Sequence, residues 1–162
     1  TAQDHDKAIA FRARQQANDF LPMSKRDVTA FDGPATAWYN GLVEAGVSLN
    51  DLSLVETHDC FTIAELIQYE AMGLAEAGKG ADVLADGTVY KDGKLPVNPS
   101  GGLKAKGHPV GATGGSQIAE LTRLLRGDHP NSEYVDNATT GVAHNAGGTV
   151  ASAVVHVLEV AE

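Results

Sequence analysis

Apolar positions Ala37, Trp38, Leu42 and Ala45 recur at helical spacing between Pro34 and Ala45. Pro34 suits a first helical turn and Gly46 a C-terminal stop, so the pattern predicts a helix over 34–45. A second helix is predicted from Thr62 to Gly73. Ile63, Leu66, Ile67 and Tyr69 to Met72 form its buried face, and Thr62 with Glu65 forms a capping box. A third, Ser116 to Arg126, aligns Ile118, Leu121, Leu124 and Leu125 on one side and stops at Gly127. Asp6 to Ala17, with Ala8, Ile9, Phe11 and Ala13 among charges, also reads as helix. Residues 18–32 read as irregular, broken by Pro22, with Gly33 just beyond. Strands are predicted over Leu52 to Glu56, Thr139 to Ala143 and the Val-rich run Thr149 to Val160. Gly78 to Lys94 is a glycine-rich, charged excursion. The order is that of a layered α/β fold with a mixed sheet, its last two strands close enough to pair antiparallel.

A chain of 162 residues with 43% apolar content can bury the core of one ordinary domain. No apolar run spans a bilayer, and the start Thr1 to Asp6 is polar, without a signal-peptide pattern. A single cysteine excludes an internal disulfide and fits a reducing, cytoplasmic setting. The net charge of −9 argues against nucleic acid as a general partner. Lys91, Lys94, Lys104 and Lys106 against Asp92 make one locally basic stretch. It either receives a phosphorylated small molecule or simply keeps a loop soluble.

The densest signal is Asn98 to Gly114, where Gly101, Gly102, Gly107, Gly111 and Gly114 surround His108-Pro109. Such a run suits a backbone that bends sharply, approaches another group closely and holds one imidazole in place. Two further segments carry polar groups at element ends: His58-Asp59-Cys60 after a strand, and His144-Asn145-Ala146-Gly147-Gly148. Sites collect at such positions in α/β sheets.

Together these motifs resemble the C-terminal half of a thiolase, most closely the sterol-carrier-protein type and related bacterial thiolase-like proteins. His58-Asp59-Cys60-Phe61 matches the His-Asp-Cys-Phe motif of that subgroup, and the glycine-rich run ends in the family's Gly-His-Pro. Asn145-Ala146-Gly147-Gly148 falls where other thiolases carry Cys-x-Gly. The resemblance covers nearly all of Asp32 to Glu159, leaving 1–31 as a helical lead-in and 32–162 as the thiolase C-terminal domain. It implies a mixed five-stranded sheet with helices on its faces.

The resemblance also implies roles. His108 activates a nucleophilic cysteine and hydrogen-bonds a thioester oxygen. His58 takes an oxyanion-hole position, the Gly147 N–H belongs to a second oxyanion hole, and Cys60 is the acid/base at the α-carbon. The reaction is acyl transfer between acyl-CoA thioesters and CoA, by Claisen condensation or thiolytic cleavage. Coenzyme A thioesters enter as substrates, with no bound cofactor or metal. The nucleophilic cysteine lies in the family's N-terminal half, which is therefore the expected partner, in a homo-oligomer of the complete enzyme. Without that half the chain is expected to be inactive. Two alternatives keep the fold: a retro-aldolase on acyl-CoA side chains working with a small partner protein, and a non-catalytic module. Residue by residue, the plain readings make Cys60 a small buried hydrophobe, His58 a helix cap, His144 a core histidine and Asp59 an acceptor for nearby N–H groups. A metal site of His58, Cys60, His108 and His144 matches no common zinc spacing.

Overall fold

The computed structural model describes residues 6–161; Thr1 to His5, read above for a leader, lie outside the described residues. The elements run β1 (Ile9–Asn18), α1 (Asp32–Ala45), β2 (Leu54–Thr57), α2 (Thr62–Ala71), α3 (Gly80–Ala85), α4 (Gly102–Lys106), α5 (Thr113–Arg126), β3 (Thr140–Gly147) and β4 (Ser152–Val160). The sheet order is β1-β4-β3-β2. β4 pairs antiparallel with β1 and with β3, and β3 pairs parallel with β2.

Alternation along the strands builds two cores. Val55, Val142, Val155 and Val157 face α1 and α2, packing with Trp38, Tyr69 and Met72. Leu54, Ala143 and Leu158 face the other way, onto Leu121, Leu124 and Leu125 of α5. Those three α5 leucines are fully buried, and each contributes about 1.5–3 kcal/mol by leaving water. Gly41 lets α1 lie directly on β4, since a Cβ there would come within 2.7 Å of Val155. Both helix stops read from sequence hold: Gly46 and Gly127 adopt left-handed conformations at the ends of α1 and α5.

Four expectations need correction. The helix expected over Asp6 to Ala17 is strand β1, paired with β4 in the same sheet as the rest of the chain. Its Ala, Arg and Gln residues favour helix locally, but the Val-rich β4 offers a ladder that outweighs this preference. Among the described residues the sheet has four strands rather than five. Beside β2 a single bridge, Val55 to Val97, stands where a further strand would lie. Pro96, Pro99 and the left-handed Asn98 (φ 53°) prevent a longer ladder there. Thr62 is the first residue of α2 rather than its cap, which is Phe61. Glu65 instead accepts from the Tyr69 hydroxyl and the Lys104 ammonium, each at 2.8 Å. Finally, His144 to Gly147 are not a loop. Pairing with β4 carries β3 through them, past the end at Ala143 suggested by Asn145 and Gly147.

Candidate active site

Parallel pairing sets the register of the site. Thr57 lies opposite His144, so the residue after β2, His58, comes to rest beside Asn145 of β3. His58 Nδ1 is 2.5 Å from Asn145 Oδ1. Gly114, in the first turn of α5, makes room for that amide: a Cβ there would meet Asn145 Nδ2 at 2.8 Å. With Oδ1 as neighbour, Nδ1 carries the proton and Nε2 is an acceptor; turning the Asn145 amide end for end reverses both. His58 is buried, and loss of solvent holds its pKa below the ordinary histidine value despite the Asn145 hydrogen bond.

The His108 ring meets the His58 ring edge to face, with centroids 4.8 Å apart. His108 Nδ1 lies 2.6 Å from the Thr113 hydroxyl, which donates onward to the Pro109 carbonyl at 3.3 Å. With the Thr113 proton turned to Pro109, Nδ1 carries hydrogen and Nε2 presents a lone pair; with it turned to the ring, both are reversed. The first is the tautomer a base requires, and His108 is exposed enough to offer it.

Asp59 has a structural task. Its carboxylate accepts from the N–H groups of Leu103 (2.7 Å) and Lys104 (3.4 Å) and so holds the start of α4. Gly102 has φ +63°, and an added Cβ would stand 2.8 Å from the Asp59 carboxyl carbon.

Cys60 sits in the turn between β2 and α2, half-buried and free. Burial pushes its thiol above the ordinary range, so it stays protonated at neutral pH. Gly147 is exposed at the end of β3. His144 is fully buried beside Trp38, with ring centroids 5.7 Å apart, and neither ring nitrogen has a partner among the described residues. Burial, with a smaller push from His58, lowers its pKa to about 4, so it is a neutral core residue. The structure thus gathers His58, His108 and Asn145 at one point, with Cys60 two residues along from His58, and sends His144 to the opposite side of the sheet.

Several polar residues of this region escaped the sequence reading. Gln68 of α2 accepts from Thr57 and donates to the His58 carbonyl at 2.8 Å. Gln117 of α5 donates to the carbonyls of Glu56 and His144. Asn98, already marked by the glycine-rich run, accepts from the Thr57 N–H at 2.8 Å and secures the edge of β2. Glu56 is fully buried and accepts from Ser100 and Lys106. A carboxylate in a short buried strand, and a Thr five residues after the Gly-His-Pro histidine, were the available signals.

The lysine stretch does not form one open basic patch. Lys104 pairs with Glu65, Lys106 with Glu56, Lys91 stacks on Tyr134, and Lys94 donates to Asn50. Among the described residues no group of three or more His, Cys, Asp or Glu side chains converges as a metal ion requires. No described helix is long and apolar enough to cross a membrane.

Comparison with known proteins adds four findings. A family model described as thiolase C-terminal domain-like matches residues 16–160. The chain is 41% identical over 153 residues to an acetyl-CoA acetyltransferase of Methanothermobacter thermautotrophicus, covering 94% of this chain and 40% of the relative. It is 39% identical over 146 residues to human sterol carrier protein 2, covering 87% of this chain and 26% of that protein. A solved structure titled Ltp2-ChsH2(DUF35) aldolase superposes with a TM-score of 0.82 over 95% of this chain and 40% of its own. At 24% identity that likeness speaks for the fold. The chain therefore spans less than half the length of each of these proteins.

Proposed function

The chain belongs to the thiolase C-terminal domain-like family, and from that premise we propose that it supplies the acid/base and oxyanion-stabilising half of an acyltransferase acting on coenzyme A thioesters. The observation that carries this reading is the state of His108. Its Nδ1 is engaged by Thr113, its Nε2 has no partner among the described residues, and its ring stands against His58.

In the thiolytic direction, a cysteine from the complementary half gives its proton to His108 Nε2. Its thiolate then attacks the 3-keto carbon of a 3-ketoacyl-CoA. The resulting imidazolium donates to an acyl oxygen, as does His58 when Asn145 turns its amide to place the proton on Nε2. The C2–C3 bond breaks, and its electron pair passes to the enolate of the departing acyl-CoA. Cys60 gives its thiol proton to C2 of that enolate. Cys60, now a thiolate, takes the proton of an incoming CoA thiol, the CoA thiolate displaces the acyl group, and the departing cysteine recovers its proton from His108. The Gly147 N–H serves as a donor to the acyl-enzyme carbonyl. Each such donor typically supplies roughly 3 kcal/mol where charge develops on oxygen. Condensation runs the same steps backwards.

The test is acyl-enzyme formation in the complete protein, read by intact mass after mixing with acyl-CoA. The wild-type protein gains one acyl group and His108→Ala gains none; an equal adduct in both removes His108 from this role.

A second reading rests on Asn145. It stands where other thiolases carry a titratable cysteine, which leaves Cys60 as the one thiol of the chain. A retro-aldol cleavage of a 3-hydroxyacyl-CoA uses the same enolate stabilisation and needs no acyl-enzyme. Cleavage of a hydroxyacyl-CoA with no adduct would select it.

A further inference from the structure

The short helix α4 is clamped at both ends by carboxylates of one segment. Asp59 holds its first N–H groups, and Glu56 holds its last side chain, Lys106. Glu56 Oε1 accepts from the Ser100 N–H at 3.0 Å, and Oε2 accepts from the Ser100 hydroxyl at 2.5 Å. Lys106 Nζ donates to Ser100 Oγ at 2.6 Å and lies 3.4 Å from Glu56 Oε2. The three groups form a closed triangle below α4, its carboxylate side chain only 1% exposed and its ammonium side chain 20% exposed. Gly107, at φ +87°, is the one residue between this triangle and His108.

We propose that Lys106, paired with Glu56 across Ser100, is a positioning residue that fixes the His108 imidazole relative to His58. Burial pushes the Glu56 pKa up while the Lys106 ammonium and the Ser100 donors pull it down, so its carboxylate form depends on Lys106 staying in contact. Lys106 therefore has little freedom, and the end of α4 cannot swing without exposing an unpaired carboxylate. The backbone leaving α4 passes through a glycine that imposes no direction of its own, so the anchored Lys106 determines where His108 starts. Thr113 then fixes the ring from the other side. His108 is held between two anchors, one buried and ionic, one a hydroxyl on α5.

This inference rests on the reading of His108 as the base, and its test separates the two. In the complete protein, Lys106→Met, Lys106→Arg and Ser100→Ala are compared with wild type. The readouts are the imidazole ¹H–¹⁵N signals of His108, assigned by their loss in His108→Ala, together with kcat and KM for 3-ketoacyl-CoA. Lys106→Met is expected to shift the His108 signals and lower kcat about tenfold or more, with KM changed less than about threefold. Lys106→Arg is expected to restore both. His108 signals and kcat unchanged in folded Lys106→Met overturn the proposal. Should Lys106→Met fail to fold, Ser100→Ala decides: displaced His108 signals support the brace, and wild-type signals overturn it. Should the wild-type protein turn over no ketoacyl-CoA, the functional reading falls, while the imidazole signals still decide the positioning role.

Discussion

His58 and Asn145 are joined by a 2.5 Å contact between residues 87 positions apart in the chain, and the parallel pairing of β2 with β3 brings them together. The Asn145 amide thus governs the protonation of the neighbouring imidazole. Asn145→Asp keeps the shape and adds a negative charge beside Nδ1. It is expected to raise the His58 pKa, because a carboxylate beside the ring favours the imidazolium. Titration of the His58 imidazole by NMR checks this, and an unchanged pKa contradicts the contact.

Asp59 and Gly102 form one structural device. Asp59→Ala removes the acceptor for the first N–H groups of α4 and is expected to cost about 1–2 kcal/mol. Gly102→Ala forces a side chain into the left-handed region and against the Asp59 carboxylate, costing about 2 kcal/mol or more. Urea unfolding measures both. Asp59→Asn, which keeps an acceptor, should fall between wild type and Asp59→Ala.

The fold was legible where local signals agreed with tertiary demand. The periods of α1 and α5, with their terminal glycines, located both helices. The Val-rich C-terminal run announced β4. β1 was illegible because its alanines, arginines and glutamines prefer helix, and only the ladder to β4 makes them a strand. At the site, the glycines around His108 and the His-Asp-Cys-Phe segment marked two loops whose histidines the structure brings together. The readings of Asp59 as an acceptor and of His144 as a core residue also hold. Glu56, Ser100, Lys106 and Thr113 stayed hidden because their roles come from partners distant in sequence or from the turn of a loop.

Thr113 orders the second histidine. Thr113→Val keeps the shape but leaves His108 Nδ1–H without an acceptor. It is expected to lower kcat about tenfold or more, within the roughly 10²–10⁴-fold that a positioned base contributes. Thr113→Ser keeps the hydroxyl and should stay near wild type in the same assay. Equal rates for Val and Ser would mean that the hydroxyl does not orient the ring.

His144 makes stability depend on pH. Its folded pKa of about 4 lies below the ordinary value of 6.5. As pH falls through 6.5 the unfolded chain takes a proton that the folded chain refuses. The contribution is intact above that pH and is lost progressively down to about 4. The gap of about 2.5 units corresponds to at most roughly 3 kcal/mol. His144→Leu removes this loss, so the stability difference between variant and wild type should move in favour of the variant between pH 7.5 and pH 4. Denaturant unfolding curves that stay parallel across that range would contradict the assignment.

The most direct measurement is CoA-dependent cleavage of a 3-ketoacyl-CoA by the complete protein, followed as loss of ketoacyl-CoA absorbance, with Cys60→Ser assayed beside wild type. We expect wild-type turnover, and a loss of about 10²-fold or more in Cys60→Ser, with folding intact and the acyl adduct still forming. Undiminished turnover in Cys60→Ser, or no cleavage by a folded wild-type protein that binds CoA, would contradict the assignment of this domain as the acid/base half of an acyltransferase.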